Sequence, residues 1–374
     1  MRIGFDAKRI THNPTGLGNY ARFVLAALAA NCSGNEYYLY SIDCGQESLY
    51  SQLQGYSSIH FRYPSSRPLF PSLWRSFGII GDLCRDKIDL YHGLSNELPL
   101  RIGRRHIPSV VTIHDLIYLR YPQTYRATDR FLYSCKYRNS CREADRIIAA
   151  SRQTKQDIVN YWEISEDKID VVYQGCNPIF YREVTEKQKY SVRRKYDLNA
   201  PYILYVGTIE ERKNLLTLVR AFHNLNRTDI DLVVIGRPTH YFTQVMSYIK
   251  EKSLHERIKI CPAVSHDELP VFYQMAEVFV YPSRYEGFGI PVLEALVSNV
   301  PVITATGSCL EETGGPASLY ADPDDSWQFA AHIQAVLNTP ALASRMKMEG
   351  RLHAEQFAPG IIASRLMDVY KHLL

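Results

Sequence analysis

No stretch of this 374-residue chain approaches the roughly 18 uncharged apolar residues that a membrane-spanning helix requires. The opening residues, MRIGFDAKR, put a strand-like run where a secretory signal would need a long apolar segment, so a cytosolic protein is expected. The eight cysteines (32, 44, 84, 135, 141, 176, 261 and 309) form no C-x-x-C pair and have no histidines near them at zinc-finger spacing. They are therefore expected to be reduced and mostly buried. Asn31-Cys-Ser and Asn226-Arg-Thr fit the glycosylation acceptor pattern, but without a secretory signal neither should be used. Internal repeats and low-complexity tracts are also missing.

What is present is a globular composition: 46% apolar and 22% charged residues, with 20 Gly and 19 Pro, which excludes disordered, collagen-like and coiled-coil classes. Single cores stop growing near ~250 to 300 residues, so two domains are expected. The formal net charge of +4 conceals a division. Residues 1–195 hold 28 Lys and Arg against 19 Asp and Glu, a balance of +9, while residues 196–374 hold 15 against 20, a balance of −5. Such asymmetry fits a nucleic-acid, membrane or anionic-substrate surface, or simply solvated charge.

Short apolar runs alternate with helix-compatible segments almost throughout, the signature of an α/β protein with parallel sheets. Strands are expected at 2–5, 37–42, 59–63, 88–92, 108–113, 146–150 and 169–173. The pattern restarts at 202–208, 231–236, 258–263, 278–283 and 300–306, which gives a second doubly wound sheet, with SLYA (318–321) as a further strand. The join falls in 175–200, and helices close the chain at 326–338, 341–356 and 359–373, with Pro340 and Pro359 at first-turn positions. Two such sheets would face one another across a cleft at the carboxyl ends of their strands, where open α/β sheets bind ligands.

The sharpest motif is Glu286-Gly-Phe-Gly-Ile-Pro-Val-Leu-Glu294, which follows the strand VFVYPS and leads into the helical segment EALVSN. A glycine pair at a strand-to-helix turn offers the N–H groups of Gly287, Phe288, Gly289 and Ile290 to a diphosphate, between two carboxylates that can accept hydrogen bonds from hydroxyls. Gly207-Thr208-Ile-Glu-Glu-Arg212-Lys213-Asn214 closes one strand and opens a helix, and its two cations suit a phosphate or two solvated side chains. His114 stands at the carboxyl end of SVVTI, as a cleft residue or a satisfied structural donor, and Asp115 beside it suits the cap of a turn. Gly16 and Gly18 lie in a loop, Thr11 to Asn19, entering a helix at 20–30. Gly16-x-Gly18-x-x-Ala21 with Asp43 could pass for a dinucleotide fingerprint and an NAD-dependent enzyme, but about nine residues separate the first strand from Gly16, where the fingerprint allows almost none. Asp322-Pro-Asp324-Asp325 contains the D-x-D of some metal sites, yet it stands where Asp325 would N-cap a helix.

Taken together, E-x7-E, Gly16-Leu-Gly18-Asn-Tyr20, Thr112-Ile-His114-Asp115, Ser151, Gly207-Thr208 with Arg212-Lys213-Asn214, and Ala321-Asp-Pro-Asp-Asp325 resemble the retaining glycosyltransferases of GT-B family 4, over essentially the whole chain. The resemblance implies a GT-B α/β fold: an acceptor-side Rossmann-like domain at 1–180, a donor-binding one at 196–358, and helix 359–373 as a candidate to pack back on the first. It implies His114, Glu286 and Lys213 as catalytic, with Glu294 on the nucleotide ribose. Glu286 and the amides of Gly287, Phe288, Gly289 and Ile290 would hold the sugar and diphosphate, and Lys213 and Arg212 would offset the departing charge. The loop of Gly16 and Gly18 would approach the phosphates from the acceptor side. Thr208 departs from the pattern, since many relatives carry Arg directly after that glycine. The family needs no metal. The implied partners are a nucleotide diphosphate sugar, with GDP-mannose the first to test, and a glycan or lipid-linked acceptor in surface-polysaccharide assembly; no nucleic acid is expected. A sugar-nucleotide epimerase of the same fold and a non-catalytic binding subunit are the alternatives. For the basic half, Arg67 to Ile80 and Arg101-Ile-Gly-Arg104-Arg105-His106 set large apolar side chains beside arginines, which fits either an anionic membrane at the inner face of the plasma membrane or a core helix with a solvated rim.

Overall fold

The computed structural model describes residues 1–64 and 68–374; Arg67, the first residue of the basic stretch singled out above, lies outside the described residues. The chain forms two compact units, residues 1–175 with 357–374, and residues 176–356.

The first unit is built on a seven-stranded sheet of β1 (Arg2–Asp6), β2 (Glu36–Tyr40), β3 (Ile59–Arg62), β4 (Leu90–Gly93), β5 (Ser109–Ile113), β6 (Arg146–Ala149) and β7 (Ile169–Val171). Their order is β3-β2-β1-β4-β5-β6-β7 and every pairing is parallel, with Gly4 opposite both Tyr38 and Tyr91. β1 thus marks the point where strand order reverses, the usual place for a ligand in an open α/β sheet. All five residues of β5 are buried, because helices cover both faces of a parallel sheet and leave no polar side.

The last helix, Pro359–Lys371, belongs to this first unit and packs on helix Gly16–Asn31. A buried polar chain anchors it. Tyr370 meets His92 Nδ1 at 2.6 Å, His92 Nε2 meets Thr112 Oγ1 at 2.8 Å, and Thr112 meets the Tyr20 hydroxyl at 3.2 Å. Burial holds the His92 imidazole neutral, down at about 3.

The second unit carries β8 (Tyr202–Val206), β9 (Asp231–Ile235), β10 (Ile258–Cys261), β11 (Val278–Tyr281), β12 (Val302–Ala305) and β13 (Leu319–Ala321), ordered β10-β9-β8-β11-β12-β13, again all parallel. Asp325 caps helix Ser326–Asn338, its carboxylate accepting from the amides of Trp327 at 2.9 Å and Gln328 at 3.0 Å.

Five local expectations need correction. Helix Gly16–Asn31 begins at Gly16 rather than at residue 20, after a short helix, Lys8–His12. Gly18 is what permits this: a Cβ there would stand 1.9 Å from the Asn13 carbonyl oxygen. The helix after the glycine pair begins at Ile290, four residues before Glu294. Glu211–Lys213 form a 3-10 turn, and Asn214, at φ 57°, separates it from helix Leu215–Asn224. Of the eight free cysteines only Cys141, Cys176, Cys261 and Cys309 are buried. Arg75 is likewise not a free surface cation, since it forms a mostly buried ion pair with Asp6, its Nε 2.8 Å from the carboxylate.

Candidate active site

The second unit gathers Lys213, Arg212, Glu286 and Glu294 at the carboxyl ends of β8 and β11. The turn between β11 and helix Ile290–Val297 is held rigidly. Gly289 takes φ +100°, a conformation strained for any side chain, and a Cβ there would stand 2.6 Å from Leu310 Cδ2, which would have to move aside. Its carbonyl accepts the amides of Val292 at 2.9 Å and Leu293 at 3.3 Å. The Phe288 carbonyl accepts the Thr313 hydroxyl, and Cys309 Sγ lies 3.0 Å from the Glu286 carbonyl oxygen. Ile290 opens the helix at the positive end of its dipole; Pro291 has no N–H and the Gly289 carbonyl takes the amides of Val292 and Leu293, which leaves the Ile290 amide as the first-turn donor.

The Glu286 carboxylate is used unequally. Oε1 accepts the hydroxyls of Tyr281 and Ser283, each at 2.8 Å, with Arg212 Nη1 at 3.0 Å and Lys213 Nζ at 3.8 Å. Among the described residues Oε2 has no such partner. Burial alone would raise this carboxyl, but the Arg212 and Lys213 cations and the two hydroxyls outweigh it and hold it down at about 2. The result is a fixed anion with one oxygen left to accept hydrogen bonds from a ligand.

Glu294 differs. It is partly buried, its Oε2 accepts the Tyr273 hydroxyl at 2.9 Å, and burial pushes its carboxyl up to about 8, against the pull of that hydroxyl and of Lys213. At neutral pH it is largely protonated and can donate as well as accept. Arg212 is bound to the carbonyl of Tyr285 and to Glu210 as well as to Glu286, so it orients the carboxylate. Lys213 Nζ rests on the Tyr281 hydroxyl at 2.9 Å. Thr208 is half-buried in the turn after β8, and its carbonyl accepts the Glu210 amide at 3.0 Å. Asn214 ties the turns together, donating to the carbonyls of Pro323 at 2.6 Å and Pro282 at 3.3 Å. Asp324 pairs with Arg284 at 2.6 Å, and among the described residues no group of three or more His, Cys, Asp or Glu could hold a metal ion.

His114, Gly16 and Gly18 belong to the first unit. His114 Nε2 lies 2.8 Å from the Leu94 carbonyl oxygen and Nδ1 lies 2.9 Å from the Gln174 amide nitrogen, which together fix the Nε2–H tautomer. Its ring stands edge-on to Tyr20, centroids 4.6 Å apart, and burial lowers its pKa to about 4, so it is neutral. Asp115 accepts the Ile117 amide at 3.1 Å. Gly16 is exposed at the start of its helix, and Gly18 is buried beneath it.

Sequence reading missed the hydroxyls that do the holding: Tyr281 and Ser283 on Glu286, and Tyr273 on Glu294. Tyr281 and Ser283 stand in the quoted run VFVYPS, where a polar tip on a buried strand end was the available signal.

Residues 186–353 match the family described as Glycosyl transferases group 1, and residues 14–179 match Glycosyltransferase Family 4. The chain is similar, at 29% identity over 100% of both proteins, to O-antigen chain mannosyltransferase B of Escherichia coli. It is 28% identical to O-antigen chain mannosyltransferase RfbU of Salmonella typhimurium over 63% of this chain and 62% of that protein. Among solved structures, Anabaena Alr3699/HepE in complex with UDP-glucose matches with a TM-score of 0.77 at 16% identity, covering 100% of both chains, a likeness of GT-B fold.

Proposed function

Because the chain belongs to the group 1, family 4 glycosyltransferases, we propose that it moves a hexosyl residue, mannosyl first among candidates, from a nucleotide diphosphate sugar to a hydroxyl of a glycan or lipid-linked glycan, with retention of configuration. The observation that carries this reading is the Glu286 carboxylate, held through Oε1 by the Tyr281 and Ser283 hydroxyls, with Lys213 Nζ 3.8 Å from that oxygen, in the turn that leads into the helix opening at Ile290. Oε2 would accept sugar hydroxyls, Glu294 would meet the ribose, and Lys213 with the turn amides would meet the diphosphate. The bond from C1 to the phosphate oxygen breaks, the bond from C1 to the acceptor oxygen forms on the same face, and the acceptor proton passes to the departing phosphate oxygen. Amides and cations meet the charge of the leaving group, so transfer should continue in chelator.

The names of the two O-antigen relatives favour GDP-mannose as the first donor to try and a polysaccharide acceptor. Thermal-shift screening of UDP-, GDP-, dTDP- and ADP-sugars should single out one nucleotide, since a bound donor stabilises the native state. Transfer assays with that donor, with the product anomer read by NMR, then test the reaction. An inverted anomer would overturn retention, and product formed from donor without acceptor would point to an epimerase instead.

The proposed location is the cytoplasm, with the first unit docked on anionic lipid. Leu69, Phe70 and Phe131 are 91%, 65% and 73% exposed, and the Leu100 amide bonds the Ser76 carbonyl at 2.8 Å, which joins the 69–77 segment to the arginines that follow Leu100. No described helix is long and apolar enough to cross a membrane. Replacing Arg101, Arg104 and Arg105 with Gln should weaken sedimentation with phosphatidylglycerol vesicles about tenfold or more, at roughly 1 kcal/mol per cation near the surface. Unchanged sedimentation would return these residues to plain solvated charge.

A further inference from the structure

We propose that the Tyr281 hydroxyl is a positioning group that couples the Lys213 ammonium to the Glu286 carboxylate, so that one phenol aims both the cation for the departing diphosphate and the carboxylate for the sugar. The inference rests on the transferase reading above and adds a residue to it.

Tyr281 ends β11 and is fully buried. Its ring stacks on Phe279 with centroids 5.9 Å apart at 19°, and tilts against Tyr205 at 5.9 Å and 35°. Its carbonyl accepts the Thr304 hydroxyl of neighbouring β12 at 2.8 Å. The aim of the phenol is therefore set by two strands and two rings, not by the groups it touches. At its tip it accepts from Lys213 Nζ at 2.9 Å and donates to Glu286 Oε1 at 2.8 Å. Lys213 Nζ itself stands 3.8 Å from Oε1, beyond hydrogen-bond reach, so the phenol is the bridge between the two charges. Burial and the neighbouring Glu286 carboxylate keep the phenol un-ionised, which lets it donate to one charge while accepting from the other.

Without the hydroxyl, Lys213 loses its acceptor while Ser283 and Arg212 still hold Glu286. The nearest anion for the ammonium is then Oε1, and a short direct ion pair would draw the cation away from a leaving phosphate. That loss falls on charge that develops as the bond breaks and persists on the released nucleoside diphosphate, so it should appear in kcat and in diphosphate binding more than in the donor KM.

Tyr281→Phe keeps the ring stack. The expected result is a fall in kcat of about 10- to 100-fold with a donor KM within about threefold, and a weakening of GDP or UDP binding close to that caused by Lys213→Met. In the double variant Tyr281→Phe should add less than about threefold to Lys213→Met, because the phenol acts through that lysine. Multiplicative effects, or a Tyr281→Phe protein with unchanged kcat and diphosphate affinity, would overturn the coupling. Should no nucleotide sugar support transfer, titrating the four proteins with nucleoside diphosphate still decides the coupling, and the transferase reading fails alone. Wild-type protein that bound no diphosphate would sink both.

Discussion

His114 of the first unit and Glu286 of the second each follow the carboxyl end of an inner parallel strand, but they are prepared in opposite ways. The histidine has both ring nitrogens bonded inside its own unit and is neutral. The carboxylate is charged, anchored through one oxygen, and among the described residues has no hydrogen-bond donor on the other. The comparison teaches that position at a strand end marks a place for chemistry, whereas unfilled hydrogen-bonding capacity on a rigid group marks the chemistry itself.

The strongest way to break that contrast is Glu286→Gln. If the charged, open oxygen is the working group, transfer should fall by roughly 100- to 1,000-fold, the scale seen when one fixed electrostatic partner is removed from a transition state. The thermal midpoint should also drop, because Arg212 and Lys213 lose the anion that offsets them in a mostly buried setting. A Gln variant that transfers at the wild-type rate would remove Glu286 from the mechanism.

His114→Phe probes the other side, with a smaller effect on chemistry. It leaves the Leu94 carbonyl and the Gln174 amide without partners, at about 1 to 3 kcal/mol of stability for a buried group left unsatisfied. As a structural donor, His114 would show its loss first in the melting temperature, with kcat per folded molecule within about tenfold. A large fall in kcat with an unchanged midpoint would instead give the imidazole the donor-sugar contact that the family resemblance implies. Its titration gives a separate check. The native pKa near 4 lies below the ordinary value of 6.5, so the unfolded chain binds more protons between them and His114 makes stability rise with pH across that window. The Phe variant should lose that part of the slope.

How much of this was legible in the sequence depends on the range of the interaction. The sheets were, because parallel strands buried on both faces read as continuous apolar runs, and the glycine turn was, because Gly289 at φ +100° is a local requirement. Helix Gly16–Asn31 was misplaced because glycines at its start argue against helix, and only the approach of Gly18 to the Asn13 carbonyl explains them. Arg75 read as a lipid-facing or a solvated cation because Asp6 lies 69 residues earlier in the chain. Helix Ala127–Glu143 sends Tyr133 and Tyr137 to the core and Phe131 and Leu132 outward, so neighbours in sequence face opposite ways. The holding hydroxyls were hidden because tyrosine in a strand looks like core, and nothing local says that its tip meets a glutamate or a lysine.

The smallest predicted effect concerns Glu294, the partner of Glu286 in the same motif and its electrostatic opposite. Burial raises its native pKa to about 8 from an ordinary 4.5. Between those values the native state binds more protons than the unfolded one, so this group makes stability fall as pH rises, and its cost is fully in place above about 8. Ribose hydroxyls donate better to a carboxylate than to a neutral acid, so nucleotide binding should favour the ionised form. Affinity for a nucleoside diphosphate should therefore tighten a few-fold between pH 6.5 and 8.5. The phosphate itself titrates at the low end of that range, so the comparison must be with Glu294→Gln, which shares the phosphate term but has no carboxyl. Parallel curves for the two proteins would show that Glu294 is not read by the ribose and that its raised pKa reflects burial beside Tyr273 alone.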